Sequence, residues 1–439
     1  MKSLKTNIYF KIGAIIIIGL LLLIPTSMIK SLIRERENTQ QRAIYEVSSK
    51  WGEEQTLTGP FITIPYNRYI KQFSKKDSVE KIIKVKDYIH FLPSELIVNG
   101  EIKPERRYRG IYEIVVYNSV LNISGTFNKL TFNDFDIPLK DIQIDKATLS
   151  LGISDLRGIE KQVSLEWNSE LFSFNPGTVT NNLIESGINT NITINSSDSS
   201  SYQFLLNLDL KGSQKLYFVP VGEVSDVTIN SEWNNPSFNG AFLPDSRTVK
   251  ASGFNANWNI LHLNRNFPQK WIGSINNINE SAFGIDLLLP VDSYQKSMRS
   301  IKYALLFIAF TFIVFFFVEV LRKVFIHPVQ YILVGIALVV FYTLLLSISE
   351  HLSYNLAFII SAFLTLLLII GYVKAILKSN QLTLLIGGIL TVLYAFIFVI
   401  IQLQDYALLI GSIGLFIILG LVMYFSRKID WYNLNLDEK

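Results

Sequence analysis

The chain contains no cysteine. That absence removes disulfides, thiolate metal sites and cysteine nucleophiles together, and leaves the redox compartment open. Charge is scarce as well. Only 17% of the 439 residues are Asp, Glu, Lys or Arg, against about a quarter in an ordinary soluble domain. A formal net charge of +4 is too small for this length to leave the basic footprint of a nucleic-acid binder. Neither G-x-x-x-x-G-K-[ST] nor G-x-S-x-G occurs, so the phosphate cradle and the nucleophile elbow are both missing. The four histidines, His90, His262, His327 and His351, include no two at ligand spacing, and no metal or cofactor is expected.

What is present is apolar: 49% of the residues are hydrophobic and mean hydropathy is positive. These residues collect in one run near the N-terminus and in a nearly unbroken array after residue 300. The first run, 12–29, is close to the minimum that crosses roughly 30 Å of hydrocarbon as a helix. No small-x-small cleavage site follows it, so it reads as a retained anchor and not as a signal peptide. Five further helices are expected at 303–321, 331–349, 354–373, 382–402 and 406–425, many with a tyrosine at the edge, as an interfacial aromatic belt requires. The expected division is an anchor (1–29), a β-rich domain (30–300), a five-helix membrane region (301–426) and a short tail (427–439).

Lysine and arginine in short loops set orientation, since longer domains cross largely regardless of charge. Lys2, Lys5, Lys11, Arg322, Lys323, Lys374, Lys378, Arg427 and Lys428 fall on one side of the six crossings; the opposite loops, "ISEHLSY" and "QLQDY", have none. The basic side is expected to be cytoplasmic with both termini, and residues 30–300 extracytoplasmic. Lys296, Arg299 and Lys302 run against this pattern and read as a stalk beside the membrane or as a solvated helix face.

The insert alternates with period two, the mark of strands with one buried face. "QVSLEW" aligns Val163, Leu165 and Trp167; "QFLLNLDL" aligns Phe204, Leu206, Leu208 and Leu210; "FNANWNIL" sets Ala256, Trp258 and Ile260 against three asparagines. "KGSQK" between "QFLLNLDL" and "LYFVPVG" reads as a hairpin turn. A mostly antiparallel, sandwich-like architecture follows. "SLIRERENTQQRAIYEVSSKW" has neither Gly nor Pro and is expected to extend the first span as helix, while "NSSDSSS" near residue 195 lacks apolar anchors and reads as a long turn.

Few residues invite a functional reading. Ser293 and Lys296 have S-x-x-K spacing, but the S-D-N and K-T-G partners of penicillin-binding enzymes are absent. Glu319 and Glu350 are acidic residues at the two ends of membrane helices, and such groups are functional candidates by default; Lys323, at i+4, is the expected partner of Glu319. "WNNPSFNGAFLP" concentrates Trp233, Pro236, Ser237, Phe238, Gly240, Phe242 and Pro244. Proline and glycine stiffen and turn the chain and the aromatics can fold over it, while the flanking Glu232 and Asp245 have no histidine or lysine beside them. The segment therefore reads as structural or ligand-facing before catalytic.

Several long segments in order resemble the CreD family of inner-membrane proteins: "QTLTGPFITIPY", "LPSELIVNGEIKPERRYRGIYEIVVYNS", "WNNPSFNGAFLP", "GFNANWNILHLNR", "PVDSYQKSMRSIKYALLFIAFTFIVFFFVE" and "HPVQYILVGIALVVFYTLLLSISEH". The resemblance implies a bacterial inner-membrane protein associated with cell envelope integrity, with a large periplasmic domain, and carries over no catalytic or binding residue. Together with the residues it points to a non-enzymatic protein whose partners are membrane lipid and a periplasmic envelope component or protein, with no nucleic acid. A transporter or lipid-handling protein is the alternative, and a hydrolase using Ser293 and Lys296 a third.

Overall fold

The computed structural model describes residues 8–73, 80–194, 201–274, 278–289, 293–403, 406–427 and 429. Lys2, Lys5, Lys428, the 195–200 stretch, Asp405 and the tail from 430 lie outside the described residues. The chain forms two compact units, one of residues 1–41 with 291–439 and one of residues 42–290.

Among the described residues, six helices are long and apolar enough to cross a membrane. The first is built of α1 (Ile8–Leu21) and α2 (Leu23–Trp51), and its polar second half is the extension expected from a stretch without Gly or Pro. A short helix, α3 (Ser293–Lys302), precedes α4 (Ala304–Arg322), α5 (Pro328–Ser349), α6 (Tyr354–Leu377), α7 (Asn380–Gln402) and α8 (Ala407–Ser426). Lys296, Arg299 and Lys302 thus belong to a helix of their own, separated from α4 by Tyr303.

Local chemistry sets the helix ends. Pro328 opens α5, the His327 ring Nδ1 accepts the Val329 N–H at 3.2 Å, and Gln330 Oε1 accepts the His327 N–H at 2.9 Å; this starts the helix three residues before the apolar pattern does. Lys323 and Lys378 close α4 and α6 in the left-handed conformation, putting positive charge at the negative end of each helix dipole. Between the ends, Phe307, Phe341, Phe358 and Tyr394 bring α4 to α7 together, with ring centroids 4.5 to 5.3 Å apart.

In residues 42–290 two sheets enclose one core. The first has nine strands among the described residues. Its main path runs Pro236–Gly240, Phe283–Leu287, Lys215–Val219, Gln55–Phe73, Thr148–Ile153, Gly187–Asn191 and Asn175–Pro176; Glu80–Phe91 pairs with Gln55–Phe73, and Lys270–Ile272 pairs with Glu80–Phe91. The second has eight: Ser246–Lys250, Gly253–Leu261, Val224–Ser231, Glu95–Arg109, Tyr112–Phe127, Tyr202–Ser213, Ser164–Trp167 and Glu170–Ser173. All pairings are antiparallel except Gln55–Phe73 with Lys215–Val219 and Glu95–Arg109 with Val224–Ser231.

The alternation read from sequence is realised, since residues 202–210 alternate buried and outward along the strand. Trp258 of the second sheet meets Phe238 and Phe283 of the first, 5.8 and 5.5 Å between centroids, and all three are buried. The hairpin expected at "KGSQK" does not form. Tyr202–Ser213 runs on through the glycine in the second sheet, and at Gln214 (φ 60°) the chain crosses to the first. Gln214 bonds to Val115 O and Leu287 N as it passes, which fixes it as a sheet switch.

Candidate functional site

A buried cluster of polar groups in the helical unit surrounds Glu319, in the last turn of α4. The residue is fully buried. Its Oε1 accepts from Lys11 Nζ and from the Ile326 N–H at 3.0 Å, and its Oε2 accepts from the Tyr331 hydroxyl at 3.0 Å. Lys11 is itself buried, with its ammonium 4.2 Å above the Phe325 ring. One carboxylate therefore ties α1, α4, the 323–327 connection and the first turn of α5. The i+4 partner expected from sequence is displaced from this arrangement: Lys323 has left the helical path and is exposed. Lys11, read only as a topology signal, takes its place; a pairing across 308 positions leaves no local trace.

Glu350 caps the far end of α5, about 28 Å along the helix from Tyr331. Its Oε1 accepts from the Tyr294 hydroxyl of α3 at 3.1 Å and lies 3.7 Å from Arg36 Nε of α2. The two glutamates are not brought together. Lys296 donates to Gln402 Oε1 at 3.4 Å and sits 5.6 Å from the Tyr354 ring centre; among the described residues it forms no hydrogen bond with Ser293.

In the β unit, "WNNPSFNGAFLP" carries the chain from the second sheet to the first. After Val224–Ser231 ends, Trp233 is buried and its Nε1 donates to Asn235 O and Leu288 O, both at 3.1 Å, while the Arg106 guanidinium lies 5.3 Å from its ring. Pro236–Gly240 then forms the edge strand on Phe283–Leu287. Phe238 packs on Phe254 and Trp258, and Phe242 on Phe283. Gly240 has φ 100°, and a Cβ there would stand 2.3 Å from Ala282 O; only glycine fits both demands. Ser237 Oγ accepts from Asn239 Nδ2 at 3.1 Å. Pro244 follows the edge strand.

His90 is fully buried, with Thr63 Oγ1 3.0 Å from Nδ1 and Trp271 5.4 Å away. Burial holds its pKa down at about 4, a little offset by Asp87. No group of three or more His, Asp or Glu among the described residues could hold a metal ion.

The outer face of the second sheet carries a pattern that strand-by-strand reading missed. Ser246, Asn257, Thr228, Asn99, Asn122 and Asn207 stand side by side on six adjacent strands. Four of them are exposed and Asn257 and Thr228 half-buried. Five steps of about 4.8 Å make a row roughly 24 Å long of neutral amides and hydroxyls. Asn257 Nδ2 donates to Thr228 Oγ1 at 2.8 Å, and Val120 and Leu205 flank the row, each about two-fifths exposed. One register step further along, Glu101, Asn230, Thr248 and Asn255 join Glu232 and Lys250 in lining a cleft of about 480 Å³. The sequence signal for this face was the three asparagines of "FNANWNIL"; the other members become neighbours only through register.

Among solved structures, two of the M1 zinc metallopeptidase from Deinococcus radiodurans overlap 38% of this chain and 38% of their own at 8% identity, with TM-scores of 0.18 and 0.19. Likeness that slight says nothing about the chain. A whole-length relative is the inner membrane protein CreD of Escherichia coli (strain K12), 33% identical over 438 residues, covering 99% of this chain and 96% of the relative. The family model for inner membrane protein CreD matches residues 7–432. The chain belongs to the CreD family of multi-pass inner-membrane proteins.

Proposed function

We propose that this protein supports cell envelope integrity by binding, not by catalysis: its helices hold residues 42–290 on the periplasmic side of the inner membrane, and the outer face of the second sheet binds a neutral, hydroxyl-rich envelope glycan. The observation that carries this reading is the six-residue row from Ser246 to Asn207. Asn is disfavoured in strand interiors, yet it fills four of the six places. Each amide offers donor and acceptor at once, which suits sugar hydroxyls and suits a charged polymer poorly. One strand spacing is close to the length of a sugar ring with its linkage, and glycosidic bonds can follow the right-handed twist that the strands accumulate. The outward orientation draws support from Lys11, Arg322, Lys323, Lys374, Lys378 and Arg427, which gather at one set of helix ends.

The test is co-sedimentation of the full chain in detergent with insoluble cell-wall glycan. We expect wild type to pellet with the glycan, and a triple variant Asn99→Asp, Asn122→Asp, Asn207→Asp to bind it roughly tenfold or more weakly. Equal sedimentation of the two proteins removes the reading. Orientation is read separately: a phosphatase active only in the periplasm, fused near residue 200, should be active, and a dark fusion rejects the topology. Transport, the alternative, finds no free carboxylate oxygen at Glu319 and predicts loss of flux in Glu350→Gln proteoliposomes.

A further inference from the structure

The helical unit carries a second feature, unrelated to the glycan row. α4, α7 and α8 line a lateral cavity of about 890 Å³, at the upper end of the range for pockets that hold small molecules. α8 is the least embedded of the membrane helices; Gly414 is its one buried residue among those described. It leans on α7 where Gly414 receives the Phe396 ring, and approaches α4 where the Phe317 and Phe425 rings lie 6.4 Å apart.

The cavity has a polar end and an apolar end. Arg322, at the C-terminus of α4, is the one charged residue on its wall and has no ion-pair partner among the described residues; Arg427 caps the C-terminus of α8. From there the wall is apolar as far as Phe310. Arg322 lies twelve residues along the helix from Phe310, about 18 Å, while half of a hydrocarbon core of roughly 30 Å is about 15 Å. The cavity is therefore as deep as one leaflet and not as deep as a bilayer. A transmembrane helix from a second copy needs the full thickness, so its length does not match. A phospholipid of one leaflet has the right depth, an apolar body and a headgroup that ends where Arg322 stands. Basic pockets between helices select anionic headgroups, because the phosphate there meets the guanidinium with no headgroup ammonium to offset its charge.

We propose that this cavity is a binding site for one anionic phospholipid, its acyl chains between α7 and α8 and its phosphate on Arg322. The experiment is native mass spectrometry of the full chain, delipidated in detergent and titrated with phosphatidylglycerol or with phosphatidylcholine. Wild type should retain one phosphatidylglycerol in preference to phosphatidylcholine. Arg322→Gln should weaken that binding about fivefold, the worth of one cationic contact at the membrane surface. Gly388→Leu tests the apolar part independently. Gly388 lines the cavity and a Cβ there meets nothing within 4 Å, so a leucine side chain starts into open cavity space and should displace the lipid while Arg322 remains. The proposal falls if the two lipids bind wild type equally, if both variants bind phosphatidylglycerol as wild type does, or if the protein appears as a lipid-free dimer that Gly388→Leu dissociates.

Discussion

In the helical unit a carboxylate and an ammonium are buried against each other, at Glu319 and Lys11; in the β unit the buried polar groups are mainly neutral and the charged ones mostly reach the surface. The difference lies in what the backbone has to offer. Helical carbonyls and amides are consumed within the helix, so a buried side chain there finds only the carbonyl one turn back, as Thr311 does with Phe307 and Thr365 with Ser361, or another side chain. Among the described residues, the hydroxyls of Tyr342 and Ser361 find neither. Sheet switches and strand ends leave backbone groups over. Gln55 uses them fully, donating to Asp155 O and Lys211 O and accepting from Asp155 N. A buried charge among helices thus depends on a side chain from another helix, as Glu319 does on Lys11, whereas a buried polar group in the β unit can draw on backbone.

The sharpest way to break this comparison is to remove one member of the helical pair. Glu319→Ala leaves Lys11 charged and buried, which costs about 3–5 kcal/mol, and also frees the Tyr331 hydroxyl and the Ile326 N–H. We expect most of the variant to be lost from the monodisperse peak in detergent, and the remainder to melt well below wild type. The double variant Lys11→Met, Glu319→Leu carries no unpaired charge and should recover most of the loss. Lys323→Ala should be neutral within about 0.5 kcal/mol. If Glu319→Ala melts as wild type does, the buried pair is not what holds α1 to α4 and α5.

That pair also marks how far the sequence could be read. The six spans were legible because nearly unbroken apolar runs have few other solutions, and the strands because Phe204 to Leu210 and Ala256 to Ile260 alternate with period two. Long-range choices were not. Nothing local distinguishes Lys11 from the other N-terminal lysines, and nothing around "KGSQK" separates a hairpin from a switch of sheet, since both call for the same turn residues. The polar row failed to show for a related reason: Asn99, Asn122 and Asn207 are scattered in sequence and meet only once strand order and register are known.

In the β unit burial acts on a titratable ring, His90. His90 is kept neutral by burial, with a pKa near 4 against about 6.5 in the unfolded chain. The unfolded state therefore binds more protons between those values, and stability falls as the pH drops through this window, levelling off below about 4. The full shift corresponds to about 3 kcal/mol. The opening free energy of amides in strands Gln55–Phe73 and Glu80–Phe91, read by hydrogen exchange after correction for the slower base-catalysed chemistry at low pH, should fall between pH 7 and pH 5 in wild type, and much less in His90→Gln. An identical fall in both proteins would place the pH sensitivity elsewhere.

The smallest expected effect bears on whether the Trp233–Pro244 segment is scaffold or surface. Ser237 Oγ has one bond, from Asn239 Nδ2, and that amide also donates to Asp286 Oδ2 at 2.6 Å. Ser237→Ala therefore leaves Asn239 a partner, and should shift stability by no more than about 0.5 kcal/mol. Gly240→Ala, a change of similar size three residues on, meets Ala282 O at the left-handed position and should cost clearly more, of order 1–3 kcal/mol. Thermal melts of the two variants read this contrast directly: a segment valued for its backbone separates them, and one valued for its hydroxyl does not. A Ser237→Ala chain that melts as wild type yet no longer sediments with glycan would move the segment from the scaffold to the binding surface, because only contact with the ligand could then account for the loss.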